Sequence, residues 1–232
     1  MVKGRASSPT FICGPEGRVP DEVIAEFAHC YIFVIVYPGG ADSVRDLVDL
    51  LGYANDIAFS GPRSALTDWE YLAHAEQLTR LVVGFEIPEV RGRIPLPTLK
   101  HLEVVGANLL EAIDAPALES LEVEIERRAP CPSNKPTTIS VLTVHSRRTS
   151  EPWAAGDLVG LTNVTMVKIA AGRADIDLTA LADATPLAWV DVGSVGTLTG
   201  IGSVARLPNL HSLELSRVRD LSDARALLEA RA

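Results

Sequence analysis

Few side chains in this chain combine the types and spacing that chemistry needs. The best set is Glu122, Glu124 and His145, with Thr143 nearby, which could form a carboxylate–histidine pair or a thin metal site. General acid–base work of that kind needs its groups in reach of one another inside a cleft that excludes water. The other histidines (His29, His74, His101 and His211) stand singly in the sequence. Gly200-Ile201-Gly202 lacks the third glycine of a dinucleotide fingerprint and precedes no suitable β-α-β unit, and no Gly-x-Ser-x-Gly elbow occurs. The three cysteines give neither a disulfide framework nor a zinc spacing: Cys30 falls on an apolar position, and Cys13 and Cys131 fall in loops. These observations point away from an enzyme and imply no cofactor and no metal.

The elements that must position these side chains follow from a repeat. The phrase Leu-x-x-Leu-x-Val recurs every 19 to 25 residues, most clearly from Leu99, Leu118 and Leu210. In one register the first apolar positions are Cys30, Ala54, Leu78, Leu99, Leu118, Ile139, Val164, Leu187 and Leu210. Three residues further on stand Phe33, Ile57, Leu81, Leu102, Leu121, Leu142, Val167, Val190 and Leu213. Two further again come Ile35, Phe59, Val83, Val104, Val123, Val144, Ile169, Val192 and Leu215. The last two positions of the phrase point to the same face of a strand. A supersecondary unit copied at this period is the mark of a solenoid.

The phrase and its period resemble those of the leucine-rich repeat family, over about residues 20 to 232. The resemblance implies an α/β, right-handed solenoid of about nine units, with a parallel β-sheet on the concave face and helices and irregular turns on the convex face. The family's usual Asn or Cys at the ninth position is replaced here by Pro38, Pro62, Glu86, Ala107, Glu126, Arg147, Gly172, Val195 and Val218. With no asparagine ladder, buried turn carbonyls must find other donors.

Residues 1–20 read as an N-terminal extension or cap, with Phe11-Ile12-Cys13 as the only apolar knot, and 21–232 as the solenoid. Helices are expected over Asp21–His29, with Val23, Ile24, Phe27 and Ala28 on one stripe, and over Ser43–Leu51. Ser43 and Asp46 there resemble a capping box, and Gly52 ends the helix. A third is expected from the Thr67-x-x-Glu70 signal, with Trp69, Leu72 and Ala73 inward. Arg127–Thr138 and Ser146–Gly156 read as loops, and a last helix over 222–229 reads as the C-terminal cap.

On the inner curve the side chains between the core positions form columns. The first strand is apolar on both faces, with Ile32, Val34 and Val36 outward. The middle of the face is acidic: Glu103, Glu122 and Glu124 lie together, with His101 and His145 near them. Lys168 falls beside Asp191, Trp189 beside Met166, and Glu214 follows on the last strand. Two carboxylates on adjacent strands repel by about 1 kcal/mol at 4 Å in bulk water, so such a column favours a complementary partner.

The net charge of −9 repels nucleic acid and anionic membrane at long range and would attract a basic partner. Against it, Arg127-Arg128 and Arg147-Arg148 are a weak nucleic-acid signal. No apolar run is long enough to span a bilayer, and neither a signal peptide nor a disulfide pattern is seen, so a reducing cytoplasm is expected. The reading is a non-enzymatic protein-binding module that recognises a basic protein through the acidic strip. A structural or assembly adaptor is the alternative, followed by an inhibitor or immunity protein, or an enzyme with a site around Glu122, Glu124 and His145.

Overall fold

The computed structural model describes residues 9–14, 20–27, 30–37, 39–61, 66–106, 108–125, 138–146, 161–222 and 225. Apart from end residues, the expected loops over Arg127–Thr138 and Ser146–Gly156 lie outside the described residues, and so do Ala28, His29, Cys131 and both arginine pairs. The same holds for nearly all of the expected 222–229 helix.

The chain divides into two compact units, Met1–Leu102 with Ala112–Ala117, and Glu103–Glu111 with Leu118–Ala232. In the first unit, strands β1 (Thr10–Cys13), β2 (Phe33–Val36), β3 (Asp56–Phe59) and β4 (Arg80–Glu86) pair side by side, all parallel. The unit boundary falls inside β5 (His101–Val105). The second unit carries β6 (Ser120–Ile125), β7 (Val141–Ser146), β8 (Met166–Ala170), β9 (Trp189–Gly193) and β10 (Ser212–Ser216), again parallel and in order. The architecture is an α/β solenoid-like fold with few, short helices.

The repeat explains the pairing. A phrase copied at near-constant period brings the same side-chain pattern beside itself, so parallel strands can stack in register. Leu121 faces Leu142, Val167 faces Val190, and Val144 faces Ile169. Along β7 and β8 buried residues alternate with wholly or partly exposed ones, as period two requires. Leu121, Leu142, Val167 and Val190 are buried, each such side chain contributing about 1.5–3 kcal/mol relative to exposure.

The first strand departs from the expected phase by one residue. Val34 pairs with Ile57 and Val36 with Phe59. Ile32, Val34 and Val36 are therefore core residues, not outward ones, and Phe33 and Ile35 occupy the open face, half-buried. Because Ile32-Phe33-Val34-Ile35-Val36 is apolar in both phases, alternation cannot choose between them. Asn55 helps to fix the choice, its Oδ1 accepting the Ile32 N–H at 2.9 Å. Cys13 is also not in a loop: it ends β1 opposite Val36 and is fully buried.

Behind the sheet the connections are short. Asp21–Glu26 is a six-residue α-helix, whose Val23 and neighbouring Phe27 stay more than a third exposed. Ser43 caps a 3-10 turn, Val44–Leu47, by a complete capping box with Asp46, and an α-turn, Val48–Leu51, follows and ends at Gly52. The 3-10 helix Trp69–His74 starts from Asp68 in a left-handed conformation, without a side-chain cap, and buries Trp69 and Leu72. The Trp69 ring meets Phe59 and Phe85 edge-on.

In place of the missing asparagine ladder, hydroxyls just ahead of the strands supply donors. The Asn55 carbonyl accepts from the Thr79 and Arg80 N–H groups and from the Thr79 hydroxyl at 3.0 Å. The Ser140 carbonyl repeats the pattern with Thr165 and Met166, the Thr165 hydroxyl lying at 3.0 Å. The Ser140 hydroxyl donates in turn to the Glu119 carbonyl. At Thr79, Ser140 and Thr165 a hydroxyl thus reaches back to the repeat before it.

Candidate partner-binding face

On the open side of β6–β10 three columns of side chains stand in register. The first reads Ser120, Val141, Met166, Trp189 and Ser212; the second reads Glu122, Thr143, Lys168, Asp191 and Glu214; the third reads Glu124, His145, Ala170, Gly193 and Ser216. Strand pairing sets neighbours in a column about 5 Å apart. Glu103 joins them from β5, where Gly106 N–H donates to the Glu124 carbonyl at 2.8 Å.

The electrostatics are those of a half-solvated acidic surface that includes internal ion pairs. His145 Nε2 lies 3.0 Å from Glu122 Oε1, although its register partner is Glu124. Lys168 Nζ lies 3.9 Å from Asp191 Oδ2. The Ser212 hydroxyl donates to Glu214 Oε1 at 3.3 Å. Exposed pairs like these contribute about 0–1 kcal/mol each to stability. Trp189, 41% exposed, sits directly beside Met166 and gives the face an apolar anchor.

Nine of the ten sequence-expected site residues, Glu103, Glu122, Glu124, His145, Met166, Lys168, Trp189, Asp191 and Glu214, therefore stand on β5–β10 of the second unit. His101 belongs to the first unit, at the exposed start of β5. The His145 and Glu122 side chains are 35% and 42% exposed, so water reaches both. The Glu122–His145 pair has the reach for proton exchange but not the dry cleft such catalysis uses.

Sequence reasoning overlooked a second polar feature, on β3 and β4. Asp56 is a buried acid whose Oδ2 accepts a charged hydrogen bond from Arg80 Nη1 at 3.3 Å, while its Oδ1 has no hydrogen-bond partner. Burial pushes its carboxyl above the usual carboxylate range, against the opposing pull of Arg80 and His101. The signal was present in the column Asp56, Arg80, His101. Its burial on a nominally open face, with Phe33 opposite it, could not be read from spacing.

No protein-family model matches the sequence, and no curated protein matches it. Solved structures do. An internalin C2 of Listeria monocytogenes is 17% identical, with a TM-score of 0.52 over 92% of this chain and 81% of its own. An internalin (inlF) of the same organism is 17% identical, with a TM-score of 0.52 over 95% of this chain and 70% of its own. At this identity the likeness concerns the fold, which is leucine-rich-repeat-like.

Proposed function

We propose that the chain is a non-enzymatic protein-binding module of the leucine-rich repeat type. It acts in the cytoplasm and takes a basic protein partner on the open face of β6–β10. The reading is carried by one observation: Glu122, Glu124, Asp191 and Glu214 share one face in register, beside an exposed Trp189–Met166 pair. Asp191 and Glu214, opposed on adjacent strands, work against stability, and a partially exposed Trp with Met is the composition of an interface centre. Complementary charge would speed association and make it salt-sensitive.

The test reverses the strip. Glu103, Glu122 and Glu124 all changed to Lys should abolish recovery of the partner from the native host. The same change at Glu70, Glu76 and Glu89, all exposed on the first unit, should leave it intact. Undiminished recovery by the first triple variant rejects the strip.

An assembly-subunit reading has its own support in the first unit. Ile12, Tyr31 and Tyr37 are 55%, 46% and 41% exposed at the β1–β2 end. A stable oligomer in light scattering that dissociates when Tyr31 and Tyr37 become Ser would favour it.

A further inference from the structure

Against the acidic character of the chain, three arginines gather in the second unit. In the second unit, the turns that follow β8, β9 and β10 enclose a hollow of about 330 Å3 lined by Gly172, Arg173, Ser194, Gly196, Arg217 and Arg219. Three arginines thus share one small concavity of a chain whose net charge is −9. All three are exposed, and among the described residues no ion pair reaches Arg173 or Arg217.

Two features of the backbone hold the arginines there. Ser194 and Arg217 occupy the same position of successive repeats, just past Gly193 and Ser216, and both are left-handed, with φ of 55° and 53°. That conformation is cheap for glycine and costly for other residues, so both positions hold strained backbone. Gly196 lets the turns stack closely, since a Cβ there would stand 2.5 Å from the Arg173 carbonyl oxygen. Close-packed backbone therefore underlies the hollow. The Asp175 carboxylate lies beside Gly196 and acts on Arg219, so the three guanidinium groups face one carboxylate and the surplus is cationic.

We propose that this hollow binds a phosphomonoester dianion. Guanidinium forks match tetrahedral oxyanions bidentately. Three cations around one concavity are matched better by a charge near −2 than by a single carboxylate. The site is separate from the acidic strip and stands whether or not that strip docks a protein.

Isothermal titration at low salt with inorganic phosphate and with a phosphoserine hexapeptide tests it. Saturable binding of either is expected, weakened about tenfold or more for each arginine lost in Arg173→Gln and Arg217→Gln, and unchanged in Arg206→Gln. Tighter binding of the peptide would assign a phosphorylated protein segment as the ligand, and equal binding would assign the free anion. Circular dichroism melts confirm that each variant is folded. The proposal is overturned if neither probe saturates, if the double variant binds like wild type, or if a glutamate hexapeptide binds as tightly.

Discussion

Asp56 is the side chain whose ionisation the fold opposes most plainly. Its burial raises the folded-state pKa, so the native chain holds that proton more tightly than the unfolded chain does. The stability this gives is fully present below the unfolded carboxylate range and is lost as pH rises through the folded-state value. Asp177 works in the opposite sense. Hydrogen bonds from Thr179 hold its carboxyl below the ordinary range, so its contribution is present at higher pH and lost as pH falls through the folded value. Asp56→Asn should remove the first component and leave the second. Urea midpoints taken in steps from pH 4 to pH 7 should therefore rise relative to wild type as pH increases, and parallel profiles for the two proteins would contradict the assignment.

The strands were largely legible from the sequence, because a period-two phrase recurring every 19 to 25 residues leaves one consistent register. From β3 to β9 the expected core positions are the observed ones: Ile57, Leu81, Leu102, Leu121, Leu142, Val167 and Val190 are all buried, whereas Leu213 and Leu215 of β10 are only half-buried. The phase failed only at β2, where both faces are apolar and pairing to Ile57 and Phe59 decided it. The turns were less legible. The missing asparagines left open which groups would satisfy the carbonyls, and Thr79, Ser140 and Thr165 do so from the other end of the strands. The observed phase of β2 makes a direct prediction. Val34→Thr buries a hydroxyl of similar volume without a partner and should cost about 1–3 kcal/mol in chemical denaturation. Ile35→Thr, on the half-open face, should cost clearly less. The reverse order would restore the alternative phase.

For the whole molecule, the likeness to internalins fixes a leucine-rich-repeat-like fold and leaves the partner to chemistry. The acidic strip could be read from columns of residues, because parallel in-register pairing turns a repeat spacing into adjacency. The burial of Asp56 beside half-exposed Arg80, and the arginine hollow, could not. One depends on neighbouring bulk, and the other on left-handed turns that bring Arg173 together with Arg217 and Arg219, two repeats away. The central claim is that a partner docks on the open face of β6–β10. A photo-crosslinking residue placed at Thr143, between Glu122 and Lys168 in their column, tests it most directly against the same residue at exposed Ala182. The account predicts a discrete crosslinked protein in the native host from position 143 and none from position 182. A product from 182 alone, or equal products from both, would contradict it.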